Sequence, residues 1–206
     1  MKKSAFTLIE LIIVIVVAGI LAAVMIPRME RDSLREATSQ LVRHIQFTQH
    51  LALVDDVYDA KDVNWSRALW TLRFYKRTTR PCYLVGTDAN LDGSYKAVDA
   101  DEEAATDPTN GLLLFSSSSC TSSKKDERSG DILLNDKYGI ENVKLTGCSS
   151  STMIVFNNLG QPVRNHRSDR PRGTDCNVTL SSGGRKAEIT VEKETGFVRV
   201  TSFDSL

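Results

Sequence analysis

Residues 6–26 read FTLIELIIVIVVAGILAAVMI, and Thr7 and Glu10 are the only polar side chains in these 21 positions. A run of about 20 apolar residues is long enough to cross a bilayer as a helix. A secretory signal peptide also starts with basic residues, here Lys2 and Lys3. Its apolar stretch is usually only about 7–15 residues long and ends at a small-residue cleavage site. The sequence therefore predicts a transmembrane helix over 6–26 that is joined to a soluble domain.

The chain as a whole has the composition of a folded protein, and outside residues 6–26 it is polar. Of its 206 residues, 26 are Lys or Arg and 26 are Asp or Glu, so the formal net charge is zero. This balance excludes a general polyanion-binding composition, although it leaves room for a local basic patch. Charged residues make up 25% and hydrophobic residues 41%, as in ordinary globular proteins. At roughly 150 residues per domain, we expect one soluble domain with an appendage.

Glu10 is the unusual residue of the apolar segment. An acidic side chain at the centre of a membrane helix costs about 2.5–3.5 kcal/mol, and less near the interface. Such a group is normally retained because it has a partner. The alternative is an isolated membrane anchor in which Glu10 extends to the interface.

Residues 2–29, KKSAFTLIELIIVIVVAGILAAVMIPRM, resemble the N-terminus of type IV prepilins and type II secretion pseudopilins. In that family, a prepilin peptidase of the inner membrane removes a short basic leader before a Phe and methylates the new amine. The resemblance implies a leader at residues 1–5, cleaved between Ala5 and Phe6. The family usually has Gly at the position of Ala5, and both residues are small.

The same resemblance gives Glu10 and Pro27 roles in assembly. Glu10 occupies the acidic position of the family, and Pro27 occupies that of its helix-kinking proline. The cationic amine of Phe6 can pair with Glu10 of a neighbouring subunit, because two paired charges are tolerated in hydrocarbon better than either alone. A pair formed only between subunits would set the stagger of a filament.

A second helical pattern follows Pro27, which lacks an N–H and frees the carbonyl of Ala23. We expect an amphipathic continuation over 27–55, and a single helix over 6–54 would be about 74 Å long. The apolar stripe recurs at three- and four-residue steps, at Leu34, Ala37, Leu41, Ile45, Thr48 and Ala52. The polar face would carry Arg35, Glu36, Ser39, Gln40, Arg43, Gln46 and Gln49. The stripe needs a sheet to cover it.

From about residue 67 the period changes to two and turn residues become frequent, which predicts a β-rich periplasmic domain over residues 56–206. The predicted strands are Leu69–Tyr75, Cys82–Val85, Leu112–Phe115, Asp131–Leu134, Asn142–Leu145, Thr152–Phe156, Cys176–Leu180, Ala187–Glu192 and Phe197–Thr201. The last two form the clearest hairpin, with Gly196 in the turn. Residues 99–110, 116–130 and 164–175 are predicted to be loops. The fold class is therefore α+β, with a long N-terminal helix, transmembrane in its first half, packed on an antiparallel sheet or sandwich.

The C-terminal sequences TMIVFNNLGQPV and ITVEKETGFVRV are similar to the end of the GspH/FimT group of minor pseudopilins and minor pilins. In that group a strand with Phe leads to a Gly-x-Pro turn, and a final hairpin carries Thr-Gly. The matching residues are Phe156, Gly160, Pro162, Thr195, Gly196, Val198 and Val200. Residues 56–150 do not align and are interpreted as an elaborated insertion.

The chain has four cysteines, at positions 82, 120, 148 and 176, and none forms a C-x-x-C pair. A zinc site is therefore not favoured. A domain outside the cytoplasm meets an oxidising compartment, where two disulfides are expected. Three pairings exist for four cysteines. Cys82–Cys120 with Cys148–Cys176 is favoured because each bond would restrain one long polar loop.

Residues 88–99 follow the calcium-loop pattern, with Asp in place of Glu at the twelfth position. The ligands would be Asp88, Asn90, Asp92, Ser94 through its carbonyl, and Asp99. The helical flanks of an EF-hand are missing. The alternative is a polar turn in a solvated loop.

Two basic clusters are candidate nucleic-acid contacts. One contains Arg164, Arg167, Arg170 and Arg172, and the other contains Arg73, Lys76, Arg77 and Arg80. Some FimT-type minor pilins bind DNA during uptake through basic C-terminal regions, and the resemblance allows the first cluster the same role. The alternative is a solvated charged face.

We find no catalytic set in the sequence, so an enzymatic function is not expected and no cofactor is required, with Ca²⁺ as the one candidate ion. The expected function is that of a minor pilin or pseudopilin subunit, inserted once in the bacterial inner membrane with its C-terminal domain in the periplasm. Its partners would be the prepilin peptidase and the other subunits of a type II secretion pseudopilus or a type IV pilus. Two alternatives remain open: a membrane-anchored, calcium-stabilised binding domain that does not assemble, and a minor pilin that acts as a DNA receptor.

Overall fold

The computed structural model describes residues 7–29, 33–56, 65, 68–76, 80–88, 103–116, 119–121, 126–165 and 168–204. Two N-terminal helices are followed by antiparallel β-sheets, which confirms the predicted α+β class.

The N-terminal segment forms helix α1, Leu8–Met29, and a second helix, α2, Ser33–Val54. Helix α1 runs two residues past Pro27 before it ends. The predicted single helix over 6–54 is thus assigned as two, and residues 30–32 between them lie outside the described part. In the part of the chain that the structure describes, no helix has the length and hydropathy required to cross a membrane.

Helix α2 is amphipathic and packs on the sheets. All six residues of the predicted apolar stripe are buried, which confirms the periodicity. Gln40 and His44 are buried as well, although Gln40 was predicted to lie on the polar face. The hydroxyls of Thr38 and Thr48 donate to the carbonyls of Leu34 and His44 at 2.6 Å, so these polar groups are satisfied inside the helix.

Among the residues that the structure describes, nine strands form three antiparallel sheets. The three-stranded sheet has the order β2-β1-β4, the four-stranded sheet β3-β7-β8-β9, and β5 pairs with β6 alone. The bounds are β1 Trp70–Tyr75, β2 Cys82–Gly86, β3 Asn142–Thr146, β4 Met153–Phe156, β5 Val163–Asn165, β6 Ser168–Pro171, β7 Cys176–Ser182, β8 Arg185–Val191 and β9 Val198–Phe203. The predicted final hairpin is present as β8–β9, with Gly196 at φ +69° in its turn.

Both larger sheets share one hydrophobic core with α2. Leu41 and Ile45 of the helix belong to the same buried cluster as Leu72 of β1 and Ile189 of β8. All four side chains are fully buried. The helix thus closes the core between the two sheets, as the apolar stripe predicted.

The predicted strand Asp131–Leu134 is wrong. A 3₁₀ turn, Gly130–Ile132, leads there into a short helix, α3, Leu134–Tyr138. The hydroxyl of Ser129 accepts a hydrogen bond from the N–H of Asp131, and Gly139 ends α3 at φ +68°. A short apolar run is compatible with either structure, and here Ser129 caps the 3₁₀ turn while Gly139 ends α3.

Two other segments also depart from prediction. Leu112–Phe115 forms only isolated bridges through Leu113, so it is not a strand. The predicted loop 164–175 contains most of the β5–β6 hairpin. Residues 103–106 lie beside β2, where Gly86 and Ala104 form a bridge.

Two disulfide bonds join Cys82 to Cys120 and Cys148 to Cys176. These are the two pairs favoured from the sequence, and no cysteine is free. The first bond connects β2 to the segment after Phe115. The second connects Cys148, two residues after β3, to the start of β7.

Candidate assembly and binding sites

The start of α1 is closed by a capping box. The backbone N–H and the hydroxyl of Thr7 donate to a carboxylate oxygen of Glu10 at 3.3 and 3.2 Å, and the N–H of Glu10 donates to the Thr7 hydroxyl at 3.4 Å. Such reciprocal bonds satisfy N–H groups that have no partner inside the helix. The pattern T-x-x-E at the head of an apolar run was readable from the sequence and was missed. Glu10 therefore has a local partner in Thr7. Its side chain is also exposed to solvent, so a second group can still reach the carboxylate. The predicted cleavage residues Ala5 and Phe6 lie outside the described residues.

Helix α1 exposes its apolar side chains in every direction. From Leu8 to Leu21 its large hydrophobic residues are 47–77% exposed, the least exposed being Ile12 and the most exposed Leu8. A helix that is apolar all round normally has an apolar environment around it. Among the described residues, no other segment covers this apolar surface.

The motifs of the C-terminal resemblance converge on one side chain of α2. The amide Nε2 of Gln49 donates to the carbonyl of Gly160 at 2.9 Å and to that of Thr195 at 2.8 Å. A Cβ at Gly196 would overlap both the Gly160 carbonyl and the Gln49 amide. The turn after β4 and the turn before β9 are thereby held together at the C-terminal end of the helix. Sequence reasoning singled out the two glycines but not Gln49.

The first basic cluster lies on the β5–β6 hairpin. Arg164 of β5 and Arg170 of β6 are exposed, and Arg172 is half-buried just after β6. The N–H of Arg172 donates to the carbonyl of Pro162 at 2.9 Å, which fixes the base of the hairpin. Arg167 lies outside the described residues. The hairpin therefore brings together at least two of the four predicted DNA-contacting arginines.

The second basic cluster is largely engaged within the domain. Arg73 stacks on the ring of Tyr75 with its guanidinium carbon 5.2 Å from the ring centre, and Lys76 donates to the carbonyl of Ser151. Burial lowers the pKa of Lys76. Arg80 lies 3.8 Å from Asp136. The remaining member, Arg77, lies outside the described residues.

Most of the predicted calcium loop is outside the described residues, since only Asp88 of the five ligands is placed. Asn90, Asp92, Ser94 and Asp99 are not described. Among the described residues no group of three or more His, Cys, Asp or Glu side chains could hold a metal ion. The base of the loop is closed by a hydrogen bond from the N–H of Thr87 to the carbonyl of Glu103 at 3.1 Å. Calcium binding at 88–99 stays a prediction.

A buried polar cluster that the sequence did not predict connects α2 to three other segments. The ring of His44 lies with Nδ1 2.7 Å from the hydroxyl of Tyr83 and Nε2 3.4 Å from a carboxylate oxygen of Asp107. Each of these three side chains is at least 95% buried. The amide of Gln40 lies 2.9 Å from the same Nε2 and 3.4 Å from Asp131.

The electrostatics of this cluster follow from burial. Burial lowers the pKa of His44 and outweighs the opposing effect of Asp107 and Asp131. Burial likewise raises the pKa of Tyr83 well above its usual value, so the phenol stays protonated. Burial alone would raise the pKa of Asp107, but two hydrogen bonds from Thr109 and the proximity of His44 hold it below its usual value. At neutral pH the cluster therefore contains a neutral imidazole beside an ionised carboxylate.

Comparison with known protein families gives a match at the N-terminus of the chain. Residues 1–26 match the family model of the prokaryotic N-terminal methylation motif. No curated protein and no solved structure gives a significant match to the chain. The motif supports a type IV pilin-like or pseudopilin-like subunit that is processed by a prepilin peptidase and anchored at the cell envelope.

Proposed function

We propose that this chain is a minor pilin or pseudopilin, of the kind represented by the GspH/FimT group, which works by assembly rather than by catalysis. The observation that carries the proposal is the methylation motif over residues 1–26, because that motif marks a chain for cleavage and N-methylation. In this proposal the subunit is inserted in the inner membrane, processed between Ala5 and Phe6, and transferred into a short filament or its tip.

The exposed apolar surface of α1 supports this function. Between Leu8 and Leu21 the helix presents large hydrophobic residues all around its axis. Contact with lipid before assembly, and with the helices of other subunits afterwards, would remove this surface from water. In this proposal the disulfide-bonded β-domain remains outside the helical core of the filament.

The test is the N-terminus of the mature protein. Protein from the native host should begin at Phe6 and carry a methylated amine, as measured by mass spectrometry of the N-terminal peptide. Ala5→Gly should be processed at least as well as the wild type, whereas Ala5→Trp should accumulate with its leader because the peptidase requires a small residue there. An intact leader on wild-type protein recovered from filaments would overturn the proposal.

The β5–β6 hairpin supports a second candidate function, DNA binding by the same subunit. Its exposed Arg164 and Arg170 are available to phosphates without rearrangement of the core. Binding of this kind is compatible with assembly, since the hairpin and α1 are separate parts of the chain.

A further inference from the structure

The exposed turn between Thr106 and Leu113 contains the only Asn-Gly pair in the sequence, Asn110–Gly111. Thr106 and Leu113 form an antiparallel bridge at the base of this turn. Gly111 has φ +72°, a backbone conformation that glycine adopts readily. Both members of the pair are exposed, so water reaches them in the folded protein.

An Asn side chain that precedes Gly is open to attack by the next backbone nitrogen. The nitrogen of Gly111 forms a bond to Cγ of Asn110, and the bond from Cγ to Nδ2 breaks. The N–H proton leaves with the side-chain amide as ammonia, and a succinimide ring remains. Water then opens the ring at either carbonyl and gives aspartate or isoaspartate at position 110. Glycine favours this ring closure because it has no side chain to hinder the attack.

The turn engages each group that this reaction uses. The N–H of Gly111, the attacking group, donates to the carbonyl of Asp107 at 2.8 Å. The side-chain oxygen of Asn110 accepts from the N–H of Leu112 at 2.9 Å. Its Nδ2, the leaving group, donates to the hydroxyl of Ser129 at 3.2 Å. The nucleophile and the amide that it would attack are therefore held by separate partners.

These partners are themselves fixed by further hydrogen bonds. The N–H of Asp107 donates to the carbonyl of Leu112 at 2.8 Å, and the Asp107 carboxylate accepts from the N–H and the hydroxyl of Thr109 at 2.8 and 2.6 Å. Ser129 is buried, and its N–H donates to the carbonyl of Leu113 at 2.9 Å. Small local fluctuations of the exposed tip therefore do not release all three groups at once.

We infer that Asn110 is a latent deamidation site whose reaction the folded turn blocks. The Gly111 nitrogen can attack only after its N–H has left the Asp107 carbonyl. The Asn110 side chain must also turn away from Leu112 and Ser129. The reaction therefore starts from the open turn, and its rate is the rate in the unfolded chain multiplied by the open fraction. Deamidation at position 110 is thus a covalent record of opening in this part of the domain.

The test compares the folded protein with its own unfolded chain. Full-length protein in detergent is incubated in mildly alkaline buffer, beside the same protein reduced and unfolded in guanidinium chloride. Mass spectrometry of the peptide that contains Asn110 should show aspartate and isoaspartate in the unfolded sample, and a rate at least about tenfold lower in the folded one. Equal rates in the two samples, or an unfolded chain that stays unmodified at Asn110, would overturn the inference.

Hydrogen exchange at Gly111 makes the comparison quantitative. The same N–H must leave the Asp107 carbonyl before it can exchange and before the nitrogen can attack Asn110. The deamidation rate should therefore be lowered by at least the protection factor of the Gly111 amide. A lowering smaller than that factor contradicts the assigned route.

The contact with Ser129 can be tested separately. Ser129→Ala removes the acceptor of Nδ2, so deamidation of the folded protein should become several-fold faster while the protection of the Gly111 amide changes less. Ser202→Ala, at an exposed position on β9, is the matched control and should leave the rate unchanged. An unchanged rate in Ser129→Ala, or an equal loss of Gly111 protection, would contradict the role of this contact. If Ser129→Ala does not fold, the wild-type rates and the protection factor decide the question.

Discussion

At the scale of single residues, the contact of Gly160 and Gly196 with Gln49 leaves no space for a larger side chain at position 196. Gly196 has φ +69° and abuts the carbonyl of Gly160 and the amide of Gln49. A side chain there would be disfavoured by the backbone conformation and would also have no space. The two effects can be separated, because Gly183 in the β7–β8 turn has φ +55° and open space around it.

We predict that Gly196→Ala destabilises the domain more than Gly183→Ala does. The left-handed backbone should cost each variant about 1–2 kcal/mol. Only Gly196→Ala must also displace Gln49 and the turn that carries Gly160, which raises its loss by about a further 1–3 kcal/mol. Urea unfolding of the full chain measures both variants. Equal losses for the two would show that the turns at the end of α2 are not closely packed.

Residue-scale features differ in how far a sequence can reveal them. The stripe of α2 was predictable because its period of 3.6 is local. The capping box of Thr7 and Glu10 was also readable, since it needs only three residues of spacing. The cluster of His44, Tyr83 and Asp107 was not, because its members come from a helix, a strand and an irregular segment. Nothing in the local pattern around His44 distinguishes a partner-bound imidazole from a surface one.

At the scale of elements, the sequence predicted strands well where alternation was clear and failed where apolar residues ran together. The β8–β9 hairpin has alternating apolar and polar residues and a turn glycine, and it formed where expected. Asp131–Leu134 has three consecutive apolar residues. The residues that cap its 3₁₀ turn and end α3, Ser129 and Gly139, lie outside this run. The β5–β6 hairpin consists mostly of polar residues, so its strands carry no apolar alternation to recognise.

The prediction of DNA binding concerns the exposed arginines of this hairpin. If Arg164 and Arg170 contact phosphates, Arg164→Gln with Arg170→Gln should weaken binding of duplex DNA and reduce the slope of log affinity against log salt by about 2. Lys144→Gln with Lys186→Gln is the matched control, because it removes the same charge from exposed positions on β3 and β8. Fluorescence anisotropy of labelled DNA measures the affinity. Equal effects of the two pairs, or no binding by the wild type at low salt, would show that the hairpin is a solvated charged surface and not a DNA-binding site.

At the scale of the whole molecule, the chain divides the work between two kinds of surface. The domain buries its own apolar residues between α2 and the sheets, and its disulfides tie two long connections to that core. Helix α1 does the opposite and leaves its apolar residues exposed from Leu8 to Leu21. Among the described residues nothing covers this apolar surface of α1, and under the proposed function contacts with lipid or other chains cover it.

The proposed role of Glu10 in assembly can be separated from its capping of α1. Glu10→Gln removes the negative charge but keeps an oxygen that can accept from Thr7, so the start of the helix should survive. If the carboxylate pairs with the amine of Phe6 on a neighbouring subunit, this variant should enter filaments several-fold less well than the wild type. Thr7→Val removes the hydroxyl of the capping box and keeps the charge, so it should be incorporated better than Glu10→Gln. Glu36→Gln, at an exposed position on α2, controls for loss of a carboxylate as such.

The measurement is crosslinking to the major subunit in sheared filaments, with each variant's amount in the membrane as reference. Normal incorporation of Glu10→Gln would show that the charge does not position the subunit, and an equal deficit in Thr7→Val would assign the effect to the helix cap.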